Sequence, residues 1–467
     1  MSKVLIDDYS RSSSRLGVIS TLILIACLAS KQTHADKLDQ YLEQKMLEQK
    51  IPGLQIAVIK NEKLIIARSY GLANLQDSVA VKNDTVFTIN SMTKGFTGVA
   101  IMQLAEQGKL DLSASISTYL EDLPVQWRTI TVKQLLTHTS GLPDIMGNGT
   151  YIISLREANA AWEKVQQQAL EFPAGSQFRY NQTNYLLLGK IIDKLSGMPF
   201  VEYIKTHQLI PAGMKRTASA GFAHFQDVIP HQARGYTYDI TGELTTVYAE
   251  FPPMLRATAG MSSNATELAH WLIALQSGKI FNDATSLAML WTPAVLENGK
   301  TAGFSQTLNG YALGWQTMGR AEHPAVALVG GNRAALVTYP EDKLAIVVIT
   351  NLMGAAPENF IDEIAGLYIS GMETINGITV ATKILDKYVG EFSFEKFSLK
   401  VTRTGNHLSL LAGGEGQKPF TLFAKSKREF FAKAISAEFS FQTNDAGNVT
   451  KLTMHQGGAD YVGVKIH

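Results

Sequence analysis

The sequence predicts a mixed α/β (α+β) fold: one sheet assembled from both ends of a domain, helices inserted between, and a small all-β domain behind it. Three observations predict this. β-prone runs occur early, in "GLQIAVIKNEKLIIARSYG", and return late, in "AVALVGG", "AALVTYP" and "LAIVVITN". The stretch between, roughly 110–300, is mostly helical pattern broken by Pro and Gly loops. After about Gly377 the texture changes to short alternating strands.

Taken in order, each element has a local reason. Residues 1–35 read as an export signal, because Arg11 and Arg15 precede an apolar run, 16–29, that is too short for an ordinary membrane span. "THAD" offers Ala35 as a cleavage residue, with Thr33 two positions earlier, whereas "LIAC" resembles a lipoprotein box that would place a lipid anchor on Cys27. The expectation is an exported, periplasmic protein, either free or held to the membrane by lipid. In 36–50, Leu38, Tyr41, Leu42 and Met46 fall at helical spacing. The two β-prone runs that follow flank a polar turn at 61–63, which predicts a hairpin. From Ser91 onward, Met92, Phe96, Val99 and Met102 fit a buried helix ending near Gly108. The late strands complete a first domain, 36–372. In 376–467, runs such as "YVGEFSF", "FSLKVTR" and "AEFSFQT" alternate between turn signals at 404–406 and 444–448, which predicts a small barrel or sandwich.

Composition narrows the function classes. The 467 residues are 45% apolar and 18% charged, with a formal net charge of +1, so nothing draws the chain generally to nucleic acid or anionic lipid. The single cysteine, Cys27, excludes internal disulfides and zinc sites built on several cysteines. There is no H-E-x-x-H and no His pair at metal spacing, so no metal and no cofactor is expected. No G-x-S-x-G elbow occurs, and "NGKT" at 298–301 has Ala294 where a phosphate loop needs Gly.

The chemistry points to "FTINSMTK", where Ser91 and Lys94 stand three residues apart. The spacing alone says little, since Ser393 and Lys396 repeat it. Context separates the two pairs. Ser393 lies in an alternating strand, where positions three apart face opposite sides. Ser91 lies where a helix begins, so Lys94 is its neighbour and the helix N-terminus supplies positive potential and free N–H groups. A serine hydroxyl attacks only once something takes its proton. Lysine, with a reference pKa of about 10.4, becomes a base near pH 7 only if burial or a nearby cation lowers that value. The oxygen that gains charge on the substrate then needs N–H donors, and that of Ser91 is one.

Further segments support this reading by resemblance. "LLTHTSGLPD", "FPAGSQFRYNQTNYLLLG", "ATAGMSSNATELAHWLIAL" and "YALGW" follow "FTINSMTKGFTG" in the order and spacing of the serine β-lactamase/penicillin-binding-protein superfamily. The chain resembles its class C-like branch, which includes esterases and D-amino-acid peptidases, over roughly 36–372. The resemblance implies a β-lactamase-like antiparallel sheet flanked by helices with an all-helical region. It also implies Ser91 as nucleophile and Lys94 with Tyr180 as base, a neighbouring ammonium holding the phenolate. Two departures stand out. The family pattern Tyr-x-Asn is Tyr180–Asn181–Gln182 here, which leaves Gln182 as the substrate-contacting amide. The third family motif, Lys/His-Thr/Ser-Gly, falls at Leu328–Val329–Gly330–Gly331, with Gly330 and Gly331 left to bind substrate and complete the oxyanion hole. His323 and Arg333 are stand-in cations for the missing grip, and His138 is expected to satisfy loop backbone. The resulting expectation is an exported serine hydrolase acting on a small ester or D-amino-acid peptide. The alternatives are β-lactamase or DD-carboxypeptidase activity, or a peptidoglycan- or peptide-binding pseudoenzyme.

Overall fold

The computed structural model describes residues 34–147, 155–222, 228–239, 242–247, 251–305, 307–370, 372, 380–395, 397–412, 419–432, 437–444, 446–456 and 459–466. Residues 1–33, which hold Cys27 and most of the expected export signal, and Lys396 lie outside the described residues. Helix α1 spans His34–Gln49, where helical spacing predicts it. Strands β1 (Gly53–Lys60) and β2 (Lys63–Asn74) form the expected hairpin. Its two loop residues, Asn61 and Glu62, have φ of 50° and 60°, the paired positive values of a type I′ turn whose twist matches the strands.

The sheet is built from both ends of its domain. Short β3 (Val79–Ala80) makes one edge. β4 (Phe87–Asn90) pairs with β7 (Met261–Ser263), and β5 (Gly235–Tyr238) with β6 (Leu244–Val247), in two separate ribbons. Then β8 (Gly310–Tyr311), β9 (Gln316–Met318), β10 (Ala325–Gly330), β11 (Ala334–Tyr339) and β12 (Leu344–Thr350) return to the sheet. The order is β3-β2-β1-β12-β11-β10-β9-β8, antiparallel throughout. Leu54 of β1 stands opposite Thr350 of β12, and both strands are buried along almost their whole length, as their unbroken apolar runs require.

Three helices position the site: α2 (Thr93–Glu106), α3 (Gln182–Ser196) and α4 (Ala265–Gln276). Helix α2 is buried from Thr93 to Leu104, the mark of a helix that is apolar all round. Phe96 of α2 stacks on Trp271 of α4 at 3.8 Å, and Trp271 stacks in turn on Trp315 at 5.9 Å. A Cβ on Gly98 would lie 2.1 Å from the Leu313 carbonyl oxygen, so this glycine lets the "YALGW" loop lie directly on α2.

The C-terminal strands close a barrel: β13 (Gly390–Ser393), β14 (Ser398–Thr404), β15 (His407–Ala412), β16 (Phe420–Ala424), β17 (Glu429–Ala432), β18 (Ala437–Thr443), β19 (Val449–Gln456) and β20 (Ala459–Lys465). Pairing of Phe392 with Lys465 joins the last strand to the first. Alternation fills the interior: Leu399 and Val401 of β14 are buried while Lys400 between them is exposed. The barrel has its own core, in which Tyr388 stacks on Phe441 at 4.3 Å and Phe430 meets the edge of Phe441's ring.

Candidate active site

Ser91 lies in the turn between β4 and α2. The turn is sharp: Asn90 has φ of 46°, a left-handed conformation that Asn tolerates better than most residues. The helix N-cap is Met92, without a side-chain cap, so the Ser91 hydroxyl is not used to close the helix end. It lies instead beside Tyr180, on the wall of the same cavity.

Lys94 follows one helical turn later and is 1% exposed. Its Nζ donates to Gln182 Oε1 at 2.8 Å and to the Thr258 carbonyl at 2.8 Å. It also lies 4.7 Å from the ring centroid of Tyr180 and 5.2 Å from that of Tyr185. Burial lowers the Lys94 pKa from 10.5 to about 7, and the Asp144 charge only partly opposes this. The amine is therefore a proton acceptor near neutral pH, as the chemistry requires. Asp144 accepts the backbone N–H groups of Gln182 (3.0 Å) and Met146 (3.1 Å), and burial raises its own pKa despite those bonds and Lys94.

Tyr180 and Gln182 are delivered together at the start of α3. Asn181 between them is the N-cap, its side chain accepting the Asn184 N–H at 3.0 Å. His138 fixes this corner from below. Its Nδ1 accepts the Asn181 N–H at 3.2 Å and sits 3.0 Å from Asn184 Nδ2. Because a backbone N–H can only donate, Nδ1 carries the lone pair and the proton is on Nε2. Burial first, then the Lys94 charge, hold the ring neutral, among the rings of Tyr180 (4.5 Å), Tyr311 (4.8 Å) and Tyr185 (5.0 Å). His138 thus serves loop backbone, as the sequence suggests.

Tyr180 lines the cavity with Ser91 and lies over the Lys94 amine. Burial raises its pKa, outweighing the hydrogen bonds from Ser91 and Gln182, and Lys94 faces the ring rather than stabilising a phenolate. The shift favours the protonated phenol, beside Ser91 and above Lys94.

The substrate edge also differs from expectation. A cavity of about 180 Å³ beside Ser91 and Tyr180 is walled by Ala327, Leu328 and Val329 on β10, and by Tyr311, Gly314 and Gln316. Gly330 and Gly331 are not among its walls. A Cβ on Gly330 would lie 2.0 Å from the Ile89 carbonyl oxygen, and one on Gly331 1.9 Å from Asn90 Nδ2. These glycines admit the strand and turn that carry Ser91. Leu328 is not an empty cation position either, since its side chain packs on Gly95 of α2 and is 2% exposed. The open edge exists because β9 pairs with β10 only from Ala325 to Ala327. Gly314, at φ 93°, brings its loop against the carbonyl of Lys94, from which a Cβ would be 2.5 Å away.

The stand-in cations lie elsewhere. His323 faces Asp342, with Nδ1 3.0 Å from both carboxylate oxygens. Arg333 is buried behind the β10–β11 turn, where its Nη1 lies close to Gly235 and burial lowers its pKa to about 10. Asp144 and Thr258 are the partners of Lys94 that the sequence did not single out, although both lie within the family-like segments. Ser393 of the second S-x-x-K is exposed on β13. Among the described residues no group of three or more His, Cys, Asp or Glu side chains is placed to hold a metal ion.

Comparison with known proteins gives the family of each part of the chain. The Beta-lactamase family model matches residues 38–369, and a domain of unknown function, DUF3471, matches 376–463. Protein flp of Staphylococcus aureus (strain MW2) is 29% identical over 324 residues, 68% of this chain, which spans 63% of that relative's length. Penicillin-binding protein 4* of Bacillus subtilis (strain 168) is 25% identical over 404 residues, covering 81% of this chain and 87% of that protein. The octameric penicillin-binding protein homologue from Pyrococcus abyssi shares the fold with a TM-score of 0.63 at 23% identity, over 92% of this chain and 99% of that one. The chain belongs to the Beta-lactamase family, whose model covers most of its length.

Proposed function

We propose that this hydrolase opens a small ester or a D-amino-acid peptide through an acyl-enzyme on Ser91. The observation that carries the proposal is the Lys94 amine, buried, tethered to Gln182 and Thr258, and brought to a pKa of about 7. Ser91 passes its proton by way of the Tyr180 hydroxyl to neutral Lys94 as its oxygen bonds the substrate carbonyl carbon. The carbonyl oxygen takes the negative charge, and the Ser91 N–H with an N–H from the Leu328–Val329 edge stabilises it. The same proton returns to the leaving alcohol or amine, and water then releases the acyl group.

The choice of substrate rests on the walls of the cavity. None of the described residues around it is charged, which favours a neutral group over a carboxylate-bearing β-lactam. Phe304, whose ring centroid is 5.0 Å from that of Tyr180, adds an apolar side. The test is a panel of p-nitrophenyl esters run beside D-Ala peptides and a cephalosporin. Acetyl to butyryl esters are expected to react best, with a fall of about tenfold or more at octanoyl, whose longer chain presses on Tyr311, Leu328 and Val329. Cephalosporin turnover at the efficiency of a dedicated β-lactamase would refute the substrate assignment.

Export to the periplasm, with or without a lipid on Cys27, is part of the proposal and rests on residues 1–35. Mass spectrometry of the mature N-terminus tests it: a chain beginning after Ala35 or at a lipidated Cys27 is expected, and an intact Met1 in membrane and periplasmic fractions opposes it.

A further inference from the structure

We propose that the C-terminal barrel helps set the acyl-group preference at Ser91, by holding the turn that carries Phe304. The proposal rests on the acyl-enzyme reading above. Phe304 stands at the site: its ring centroid lies 5.0 Å from that of Tyr180, 5.6 Å from that of Phe178 and 6.1 Å from that of Tyr311. Further along the same turn, Thr307 meets the barrel. Its hydroxyl donates to Glu438 Oε1 of β18 at 3.2 Å and accepts from Lys425 Nζ, at the end of β16, at 3.4 Å. Lys425 and Glu438 are joined to each other at 2.6 Å, and little of either side chain is exposed. Moving either partner of such a pair would strand the other charge away from water, so the pair is a fixed point for Thr307.

The turn is closed on itself, so a shift at Thr307 reaches Phe304. The Ser305 N–H donates to the Leu308 carbonyl at 3.2 Å, and the Leu308 N–H donates to Ser305 Oγ at 3.0 Å. A Cβ on Gly303 would lie 2.1 Å from the Leu308 carbonyl oxygen and 2.7 Å from the Gly310 nitrogen, so the two limbs lie directly against each other. Asn309 secures the base: its Nδ2 donates to the Gly319 carbonyl at 2.7 Å and its Oδ1 accepts the Gly319 N–H at 2.8 Å. The contact with the barrel restrains the other side of the turn. The chain then enters β8, where Tyr311 is a wall of the Ser91 cavity. A long acyl chain that presses on Tyr311 meets Phe304 beside it, and Phe304 yields more readily once Thr307 is released.

The test is the selectivity of the full chain, read as the ratio of kcat/KM for octanoyl to that for butyryl p-nitrophenyl ester. Thr307→Val removes the hydroxyl and leaves the Lys425–Glu438 pair whole. It should raise the ratio about fivefold, the effect of one net hydrogen bond. Thr307→Ser, which keeps the hydroxyl, should retain the wild-type ratio. Phe304→Ala should also raise the ratio, and adding Thr307→Val to it should raise it no further, because the turn then has no ring to place. Melting curves show that each variant is folded, and fluorophosphonate labelling shows that its Ser91 still reacts. A folded, labelled Thr307→Val with the wild-type ratio would overturn the proposal, as would a Thr307→Val effect undiminished in Phe304→Ala. A wild type that takes no label and opens no ester would overturn the acyl-enzyme reading, and this proposal with it.

Discussion

At the scale of single residues, reactivity here is a consequence of burial. Lys94 would carry a fixed charge in water; inside α2, with a carbonyl and an amide oxygen as its acceptors, it titrates near neutrality. Two outcomes follow. The kcat/KM for a p-nitrophenyl ester should rise with pH through about 7, where Lys94 loses its proton, and the limb should be absent from the residual rate of Lys94→Met. The second concerns stability. The folded pKa lies below the unfolded one, so the unfolded chain binds the extra proton between about 7 and 10.5, and Lys94 penalises folding most below pH 7. That penalty is on the order of 5 kcal/mol, offset in part by the two hydrogen bonds. Lys94→Met should therefore melt at a higher temperature than wild type, by more at about pH 6 than at about pH 9. The pair Ser91–Lys94 was legible in the sequence because helical spacing and a helix start are local properties. Asp144 was not, because its influence on Lys94 depends on how "GLPD" folds back on the Gln182 N–H.

At the scale of elements, the site is a meeting of three backbones held close by small residues. Helix α2 receives the "YALGW" loop at Gly98, Leu328 of β10 at Gly95, and Gly314 at the Lys94 carbonyl. Gly98→Ala would force a Cβ to 2.1 Å from a carbonyl oxygen, and we expect a loss of about 3 kcal/mol in chemical denaturation together with a lower kcat. Asn181→Ala removes the cap of α3, with a loss of about 1 kcal/mol and a larger effect on kcat than on KM, since Tyr180 and Gln182 flank it. The hairpin at Asn61–Glu62, helix α2 and the late strands were all readable from period and turn chemistry. The role of Gly330 and Gly331 was not. A glycine admits any close neighbour, and only the packing shows that the neighbours are Ile89 and Asn90. The edge offered to substrate is likewise set by where β9 stops pairing, which no local pattern in β10 encodes.

At the scale of the whole molecule, a family hydrolase fold is followed by a closed barrel with a core of its own. The change of texture after Gly377 announced the strands, but closure depends on Phe392 meeting Lys465 across the length of that region. Phe441→Ala should destabilise the barrel by about 3–5 kcal/mol in differential scanning calorimetry while leaving ester hydrolysis below the transition unchanged. The central claim, that Ser91 is the nucleophile, is tested most directly by intact-protein and peptide mass spectrometry after treatment with a fluorophosphonate, which loses fluoride as it bonds the serine oxygen. The account predicts a single adduct on the peptide carrying Ser91, and none in Ser91→Ala. An adduct that persists in Ser91→Ala, or a wild type that takes no label, would contradict it.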